Sequence, residues 1–362
     1  MSHCPDVRFF VLPVAVLAAT LAAPAPAATA ARDPLDALVA EMLAADQARP
    51  RTAMELYARA FAGYALVERA RTRPDPAARA ADAALLDRLI DDVASPAFTR
   101  PFHLGSVDVA GRALSPSVAH RGHLALLLVG RTRLGPLDPP RRALLDALAA
   151  GLARDVAAAP GRLLPTYANA RLWPADNEVV AAALTLYARD LAPDDAAVVR
   201  AARALLDALT ALERPGWRAT GLPPSALDAR TRAPLDVPRG CALSWTVAMR
   251  ALHDPAAARA LYDRYRARHW VDAALVVGLR EWPPGVDRAP DADSGPIVAG
   301  VGAAASALGE GAALAVASTA DAERLRASAA LVSRVVRPPS HGRASWPARA
   351  ITAWARASQG RW

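Results

Sequence analysis

Apolar residues return every three to four positions along most of this chain, the spacing that places them on one face of an α-helix. Asp33-Pro34 begins the first such segment, and Thr52 with Glu55 has the pattern of a capping box at the start of the second. The patterns predict twelve helices, near residues 35–48, 53–71, 77–95, 116–134, 140–158, 175–190, 194–213, 240–252, 255–272, 296–308, 319–335 and 346–358. The β-branched runs at 271–279 and 331–336 are short and isolated, so we predict an all-α fold.

The connections between these helices alternate between long and short. The long ones span roughly residues 96–115, 159–174, 214–239 and 273–295. All four have the same parity, because each joins an odd-numbered predicted helix to the even-numbered helix that follows. Most of the others are only a few residues long, as in αα-hairpins, with 309–318 of intermediate length. Twelve helices with long connections at one end only predict an (α/α)6 barrel, a toroid of six helical hairpins, whose loop-rich rim surrounds a pocket.

The first 30 residues have the features of a secretory signal peptide. Arg8 precedes an apolar run from Phe9 to Ala23, and small residues follow. We expect cleavage near Ala27 or Ala30 and export to the periplasm or the medium, leaving residues 31–362 as a single domain. The apolar run is shorter than the roughly 20 residues that a membrane-spanning helix needs, so no stable membrane insertion is expected.

Composition narrows the classes of partner. The net charge is +8, but all 43 basic residues are arginine and they are scattered among carboxylates, which argues against a nucleic-acid partner. Cys241 is the only cysteine outside the signal segment, so no intramolecular disulfide is expected. No phosphate-binding loop or zinc signature is present, and we expect no cofactor and no metal. A homo-oligomer is left open.

Two of the long connections end in polar residues at a helix start. Before the sixth helix stand Trp173, Asp176 and Asn177, where either polar residue could instead cap the helix. Before the eighth helix, Arg239 is a candidate ligand contact. Cys241 is a candidate contact and could be a nucleophile, with a small buried apolar residue as the alternative. Trp245 would contribute to the pocket wall.

The connection from the ninth to the tenth helix is the most acidic part of the chain. Paired carboxylates suit acid/base chemistry, because neighbouring groups can raise the pKa of one while the other stays ionised. Glu281 and Asp293 are the catalytic candidates, and a solvated loop with a capping Asp293 or Ser294 is the alternative. The binding candidates here are Arg280, Trp282, Asp291 and Ser294.

His123 lies in the fourth predicted helix, soon after the first long connection. A histidine near the rim could exchange protons near neutral pH. Its spacing from His120 suits a metal, but the sequence offers no further ligands that complete a set. A structural role inside the helix is the alternative.

Four segments together resemble the linalool dehydratase/isomerase family, across roughly residues 115–310. They are Arg121-Gly122-His123-Leu124, Pro174-Ala175-Asp176-Asn177, Arg280-Glu281 and Asp291-Ala292-Asp293-Ser294-Gly295. The resemblance implies an exported (α/α)6 barrel whose active site uses His123, Asp176 and Asn177. The two cysteines that flank the Asp-Asn segment in that family are absent here, where Leu172 and Val179-Val180-Ala181 stand.

Three functions follow as hypotheses. The first is an acid/base lyase or isomerase acting on a hydroxylated small molecule, in which His123 or Glu281 protonates the departing hydroxyl and Asp176 or Asp293 supplies negative charge. The second is a glycan-acting enzyme, a glycoside hydrolase or polysaccharide lyase, since the rim offers carboxylates together with Trp173, Trp217 and Trp282. The third is a noncatalytic barrel that binds a ligand.

Overall fold

The computed structural model describes residues 33–45, 51–102, 106–107, 113–114, 117–166, 171–214, 220–273, 276–335, 342–358 and 362. The predicted signal peptide and Trp217 lie outside these residues. The described chain from Pro34 onward forms one compact unit. Its helices are α1 (Pro34–Leu43), α2 (Ala53–Thr72), α3 (Pro76–Ala94), α4 (Pro96–Phe102), α5 (Val118–Thr132), α6 (Pro139–Ala158), α7 (Pro174–Asp190), α8 (Ala196–Ala211), α9 (Gly240–Ala251), α10 (Pro255–His269), α11 (Ala303–Ala315), α12 (Thr319–Val335) and α13 (Trp346–Ala357).

Six of these helices form a closed inner ring. The order around the ring is α2, α5, α7, α9, α11 and α13, and α13 packs back onto α2. The outer helices α1, α3, α6, α8, α10 and α12 pack against the inner ones and alternate with them along the chain. This arrangement confirms the predicted (α/α)6 barrel, with the short helix α4 added to the connection between α3 and α5.

The helix starts follow the capping pattern in the sequence. Thr52 and Glu55 form the predicted capping box at α2. Asp75, Asp138 and Asp254 each cap a helix that begins with proline, by accepting hydrogen bonds from backbone N–H groups of the first turn. Well-placed caps explain why these boundaries could be read from the sequence.

The long connections all enter inner helices. They span residues 95–117, 159–173, 212–239 and 270–302, whereas the connections that enter outer helices have three to six residues. Because inner and outer helices alternate, the long connections lie at one end of the barrel, which we call the mouth. The parity argument therefore identified the loop-rich rim correctly.

The connections contain short antiparallel strand pairs that the sequence analysis missed. They are β1 (Ser106–Val107) with β2 (Ala113–Leu114), β3 (Arg171–Leu172) with β4 (Leu227–Asp228), β5 (Trp270–Ala273) with β6 (Val276–Leu279), and β7 (Ile297–Val298) with β8 (Val301–Gly302). The β-branched run at 271–279 is thus a hairpin, and the predicted extension of the ninth helix to residue 272 is wrong. The run at 331–336 instead belongs largely to α12.

The predicted helix 296–308 is also misplaced. Its first residues form the β7–β8 hairpin, which turns at Ala299 and Gly300 with positive φ angles of 50° and 79°. The helix that follows, α11, begins at Ala303 and continues to Ala315, so the predicted connection 309–318 is shorter and spans residues 316–318. Within the described part of the chain, no helix has the length and apolar character needed to cross a membrane.

Candidate functional site

Asp176 is the most unusual carboxyl group at the mouth. It lies in the first turn of α7 and is only 3% exposed. Burial raises the pKa of Asp176 to about 7, a hydrogen bond from the Thr166 side chain opposes the shift, and the charge of Asp293 adds to it. Asp176 therefore holds its proton close to neutral pH, which is the property required of a general acid.

Asp293 is the carboxyl group whose charge acts on Asp176. It is half-buried, and burial raises its pKa while the nearby Arg239 guanidinium lowers it. Asp293 is the less buried of the two, and its negative charge raises the pKa of Asp176, which keeps the proton. The structure thus brings together two of the four predicted catalytic residues, although they are more than a hundred positions apart in sequence.

Glu281, the third predicted catalytic residue, is fully buried and holds a different set of partners. Its Oε1 accepts hydrogen bonds from Arg239 Nε at 2.8 Å and from Cys241 Sγ at 2.9 Å, and its Oε2 accepts one from Cys241 N at 3.3 Å. Burial, followed by the charge of Glu281, raises the pKa of the Cys241 thiol well above its usual range. Cys241 is therefore a protonated hydrogen-bond donor and lacks the thiolate character of a nucleophile.

Arg239 also reaches the acidic loop, by which we mean residues 291–296 of the connection before α11. Its Nη2 donates to Asp291 Oδ1 at 2.8 Å, and its guanidinium carbon lies 4.5 Å from the centre of the Trp282 ring. Arg288 lies over the same ring at 5.2 Å. The predicted binding residues Arg239, Trp282 and Asp291 thus contact one another, and with Glu281 and Cys241 they form what we call the arginine cluster.

Aromatic side chains close the barrel axis below the mouth. Trp245 on α9 packs edge-on against Tyr57 and Phe61 of α2, with ring centres 4.9 and 5.0 Å apart, and the His123 ring on α5 lies 5.3 Å from Trp245. Because α2 and α9 are opposite each other in the inner ring, these contacts cross the axis. Among the described residues, these rings therefore fill the barrel axis at this level.

His123, the fourth predicted catalytic residue, belongs to this aromatic plug. Its Nδ1 is 2.7 Å from the Tyr64 hydroxyl, and its Nε2 has no hydrogen-bond partner among the residues that the structure describes. Burial, helped by the charge of His120, lowers the pKa of His123 to about 3. The imidazole is therefore neutral near pH 7, so it does not offer the proton exchange expected from the sequence. His120 has a structural contact of its own, since its Nε2 donates to Val93 O at 2.8 Å.

Several predicted binding residues hold the loops in place. The Asn177 amide accepts a hydrogen bond from Leu164 N at 2.8 Å and donates to Leu164 O at 2.9 Å, which fixes the connection before α7. Trp173 is the N-cap residue of α7 and is half-buried. The Ser294 hydroxyl accepts from Asp291 N and donates to Gly295 O, both within the acidic loop. The half-buried Arg280 follows β6, and its guanidinium lies beside Gly300.

Sequence analysis missed Thr166 and the aromatic residues of α2. Thr166 sits in an irregular connection, and no local pattern indicates that its side chain reaches Asp176. Tyr57, Phe61 and Tyr64 were detectable, because their spacing places three aromatic rings on one face of a buried helix.

An open groove lies beside the acidic loop. Its volume is about 580 Å³, and its walls come from the segments on either side of the loop: Asp287, Arg288, Ala289, Pro290, Ile297, Ala299 and Gly300. Among the described residues, no three His, Cys, Asp or Glu side chains are grouped as they would be around a metal ion.

The same fold occurs in solved structures of glycan-acting enzymes. The GH76A α-1,6-mannanase from Salegentibacter sp. superposes with a TM-score of 0.56 at 10% identity, over 90% of this chain and 97% of the mannanase. A GH76 α-mannanase from Bacteroides thetaiotaomicron gives 0.53 at 9% identity, over 84% and 86% of the two chains. A variant of UGL, an unsaturated glucuronyl hydrolase, with dGlcA-Glc-Rha-Glc gives 0.54 at 14% identity, over 84% and 86%. No protein-family model and no curated protein matches the chain.

These comparisons correct the family resemblance drawn from the sequence. The structural neighbours are (α/α)6 glycosidases, and the likeness to linalool dehydratase/isomerase is not supported. Three of the four short segments that suggested it occur at a helix start and in loops of the mouth, where polar residues and glycine are also required by capping and turns. The fourth, Arg121-Gly122-His123-Leu124, lies inside α5. Local composition at such positions is therefore a weak guide to family.

Proposed function

We propose that this protein is a glycan-acting enzyme that hydrolyses a glycosidic bond at the mouth of the barrel. One observation carries the proposal: Asp176 is a buried carboxyl group that keeps its proton near neutral pH, beside Asp293, whose negative charge raises the pKa of Asp176 further. A protonated and an ionised carboxyl group at one site are the two groups that glycoside hydrolysis needs.

The roles follow from the protonation states. Asp176 donates its proton to the glycosidic oxygen as the bond between that oxygen and the anomeric carbon breaks. The ionised Asp293 either removes a proton from the water that attacks the anomeric carbon, or attacks that carbon itself before water releases the sugar. In both routes one water is consumed, and one hydroxyl group appears on each product.

The surroundings of the pair suit a sugar. Tyr57 and Trp245 lie at the bottom of the mouth, and the half-buried Trp245 offers an aromatic surface on which an apolar sugar face can pack. The groove beside the acidic loop gives room for further sugar units, since ligand sites of about 300–1,000 Å³ are usual.

The fold comparisons favour this function over an acid/base lyase or isomerase acting on a small hydroxylated molecule. The neighbours are glycosidases, and an inactive variant of the Salegentibacter mannanase was solved with α-1,6-mannotetrose. A neutral His123 also removes one of the two acids that the lyase hypothesis used. We further propose that the enzyme acts outside the cytoplasm, on the basis of the signal-like residues 1–30.

The test is a glycan panel assayed for new reducing ends and for products by mass spectrometry. It includes α-1,6-mannotetrose, dGlcA-Glc-Rha-Glc, and neutral and acidic oligosaccharides of other linkages. We expect cleavage of at least one member by the wild type, and loss of about 10²-fold or more in kcat for Asp176→Asn and Asp293→Asn. The exposed Asp207 on α8, changed to Asn, is the matched control and should keep full activity.

Calorimetric binding measured with the same panel separates the alternatives. Binding without cleavage would support the noncatalytic barrel instead. Cleavage that survives in Asp176→Asn would remove the assigned acid, and the absence of both binding and cleavage across the panel would reject a glycan function.

A further inference from the structure

The sequence predicts that Arg239 contacts a ligand. In the structure its guanidinium also clamps two acidic residues together. Arg239 is the N-cap residue of α9, and its side chain is 6% exposed. The guanidinium bridges two acidic residues that come from different parts of the 270–302 connection, with Nε on Glu281 and Nη2 on Asp291, both at 2.8 Å.

The inner half of the clamp is rigid. Glu281 is fully buried, and besides Arg239 it accepts hydrogen bonds from the backbone N–H and the thiol of Cys241. Cys241 lies in the first turn of α9, so these bonds fix Glu281 to the inner ring. Trp282 covers the guanidinium face. A group held by buried partners on two sides can position what it contacts on the third.

The outer half of the clamp reaches the backbone of Asp293. Asp291 Oδ1 accepts the bond from Arg239 and also the backbone N–H groups of Asp293, at 3.1 Å, and of Ser294, at 2.9 Å. One carboxylate oxygen thus joins the guanidinium to the peptide that carries the Asp293 side chain.

We infer that Arg239 is a positioning residue, which through Asp291 holds Asp293 in the orientation it needs opposite Asp176. The inference rests on the proposed function, because it assigns Arg239 to the carboxyl pair that we propose to be catalytic. Arg239 itself need not touch the substrate.

Electrostatics supports the same assignment. The charged and titratable groups that act on Asp293 or are acted on by it are Arg239 and Cys241 on α9, Glu281 and Asp291 in the connection, and Asp176 on α7. Arg239 is the cation in this set. Without it the pKa of Asp293 rises towards that of Asp176, and the difference in protonation between the two carboxyl groups shrinks.

The experiment compares Arg239→Gln and Arg239→Lys with two control arginines. Arg288→Gln removes the other guanidinium from the Trp282 ring, without touching Asp291 or Glu281. Arg250→Gln removes a buried arginine of α9 that pairs with Glu178 and Glu213, so it reports the effect of destabilising the same helix. The readouts are kcat and KM against pH on the glycan identified above, and thermal stability.

We expect Arg239→Gln to lower kcat by about 10²-fold with a smaller change in KM, since a displacement of about 1 Å can cost that much. The acidic limb of the pH profile should move up by about one pH unit, because a charge a few ångströms away shifts a carboxyl pKa by about 1–3 units. Arg239→Lys should return the acidic limb to its wild-type pH but restore only part of kcat, since lysine keeps the charge but not the forked geometry. Neither control should move the limb.

A second measurement does not depend on activity. The effect of Asp293→Asn on the unfolding midpoint, taken at pH 5 and pH 8, should differ between the wild-type and Arg239→Gln backgrounds if the two residues are coupled. Equal effects of Asp293→Asn in both backgrounds would overturn the inference. So would an Arg239→Gln variant that, like Arg250→Gln, loses kcat while its acidic limb stays at the wild-type pH. A panel in which no glycan is bound or cleaved would reject the proposed function alone, and this coupling would still test the clamp.

Discussion

Replacing Asp176 by Asn tests the central physical claim, that a carboxyl group at the mouth is kept protonated by burial. The substitution nearly preserves the size of the side chain and removes its titration. Asp176 is 3% exposed on α7, and its hydrogen bond comes from Thr166. An amide oxygen can still accept that bond, so the variant should fold.

The magnitude follows from the pKa. A rise from 3.8 in the unfolded chain to about 7 in the folded protein corresponds to about 4 kcal/mol. Between these two pH values the folded state binds more protons than the unfolded state, so the free energy of unfolding of the wild type falls as pH increases. The amide of the Asp176→Asn variant has no proton to lose, so the variant lacks this part of the decline.

The assay is urea unfolding of both proteins at several pH values from 4 to 8.5. All other titrating groups are shared, so the difference between the two proteins isolates Asp176. We expect the free energy of unfolding of the variant, relative to that of the wild type, to increase by about 4 kcal/mol across this range. The increase should be complete slightly above pH 7. A difference that stays constant within about 1 kcal/mol would refute the raised pKa, and with it the assignment of Asp176 as the acid.

Three further predictions concern the barrel itself, each checked by the urea unfolding midpoint at pH 7. Tyr64→Phe removes the hydroxyl 2.7 Å from His123 Nδ1 and should cost about 1–3 kcal/mol, because a buried ring nitrogen loses its partner; an unchanged midpoint would mean that water replaces the hydroxyl. Glu178→Gln leaves a buried arginine of α9 with one acidic partner fewer and should cost about 3 kcal/mol, whereas a stabilised variant would show that the ion pair is a net burden. Gly311→Ala places a Cβ 2.3 Å from the Trp354 ring, where α11 meets α13, and should cost about 1–3 kcal/mol; a gain in stability would indicate that the ring moves freely.

Helix positions could be predicted because they depend on local signals. Thr52, Asp75 and Asp138 stand immediately before the residues that they cap, so a reader of the sequence sees both halves of each interaction. The length of the connections likewise appears directly in the sequence, and with strict alternation it identifies the mouth. The β7–β8 hairpin was missed because it leads directly into the alanine run Ala303–Ala305 at the start of α11. The high helix propensity of that run suggested a helix from residue 296, although Gly300 and Gly302 disfavour one.

The site could be predicted only as a set of candidates. Asp176 and Asp293 were both selected, but their pairing depends on how α7 and the acidic loop meet across the mouth. The contacts of Arg239 could not be predicted for the same reason, since its partners Glu281 and Asp291 are 42 and 52 positions away. Burial decides the chemistry of His123. The apolar run Leu124–Val129 beside it indicates a buried helix, but it does not show which side chains lie against the imidazole.

The contact between α2 and α13 determines when this molecule can become complete during folding. Both helices belong to the inner ring, and side chains near them pair across about three hundred residues, as in the hydrogen bond from Trp346 Nε1 to Glu41 Oε1 at 2.8 Å. An incomplete chain can stack successive hairpins but presents the apolar face of α2 to solvent until α13 arrives. Ring closure should therefore be the slow, late step of folding, and a chain shortened before α13 should collect as aggregates, because its open edge can accept a helix from another copy.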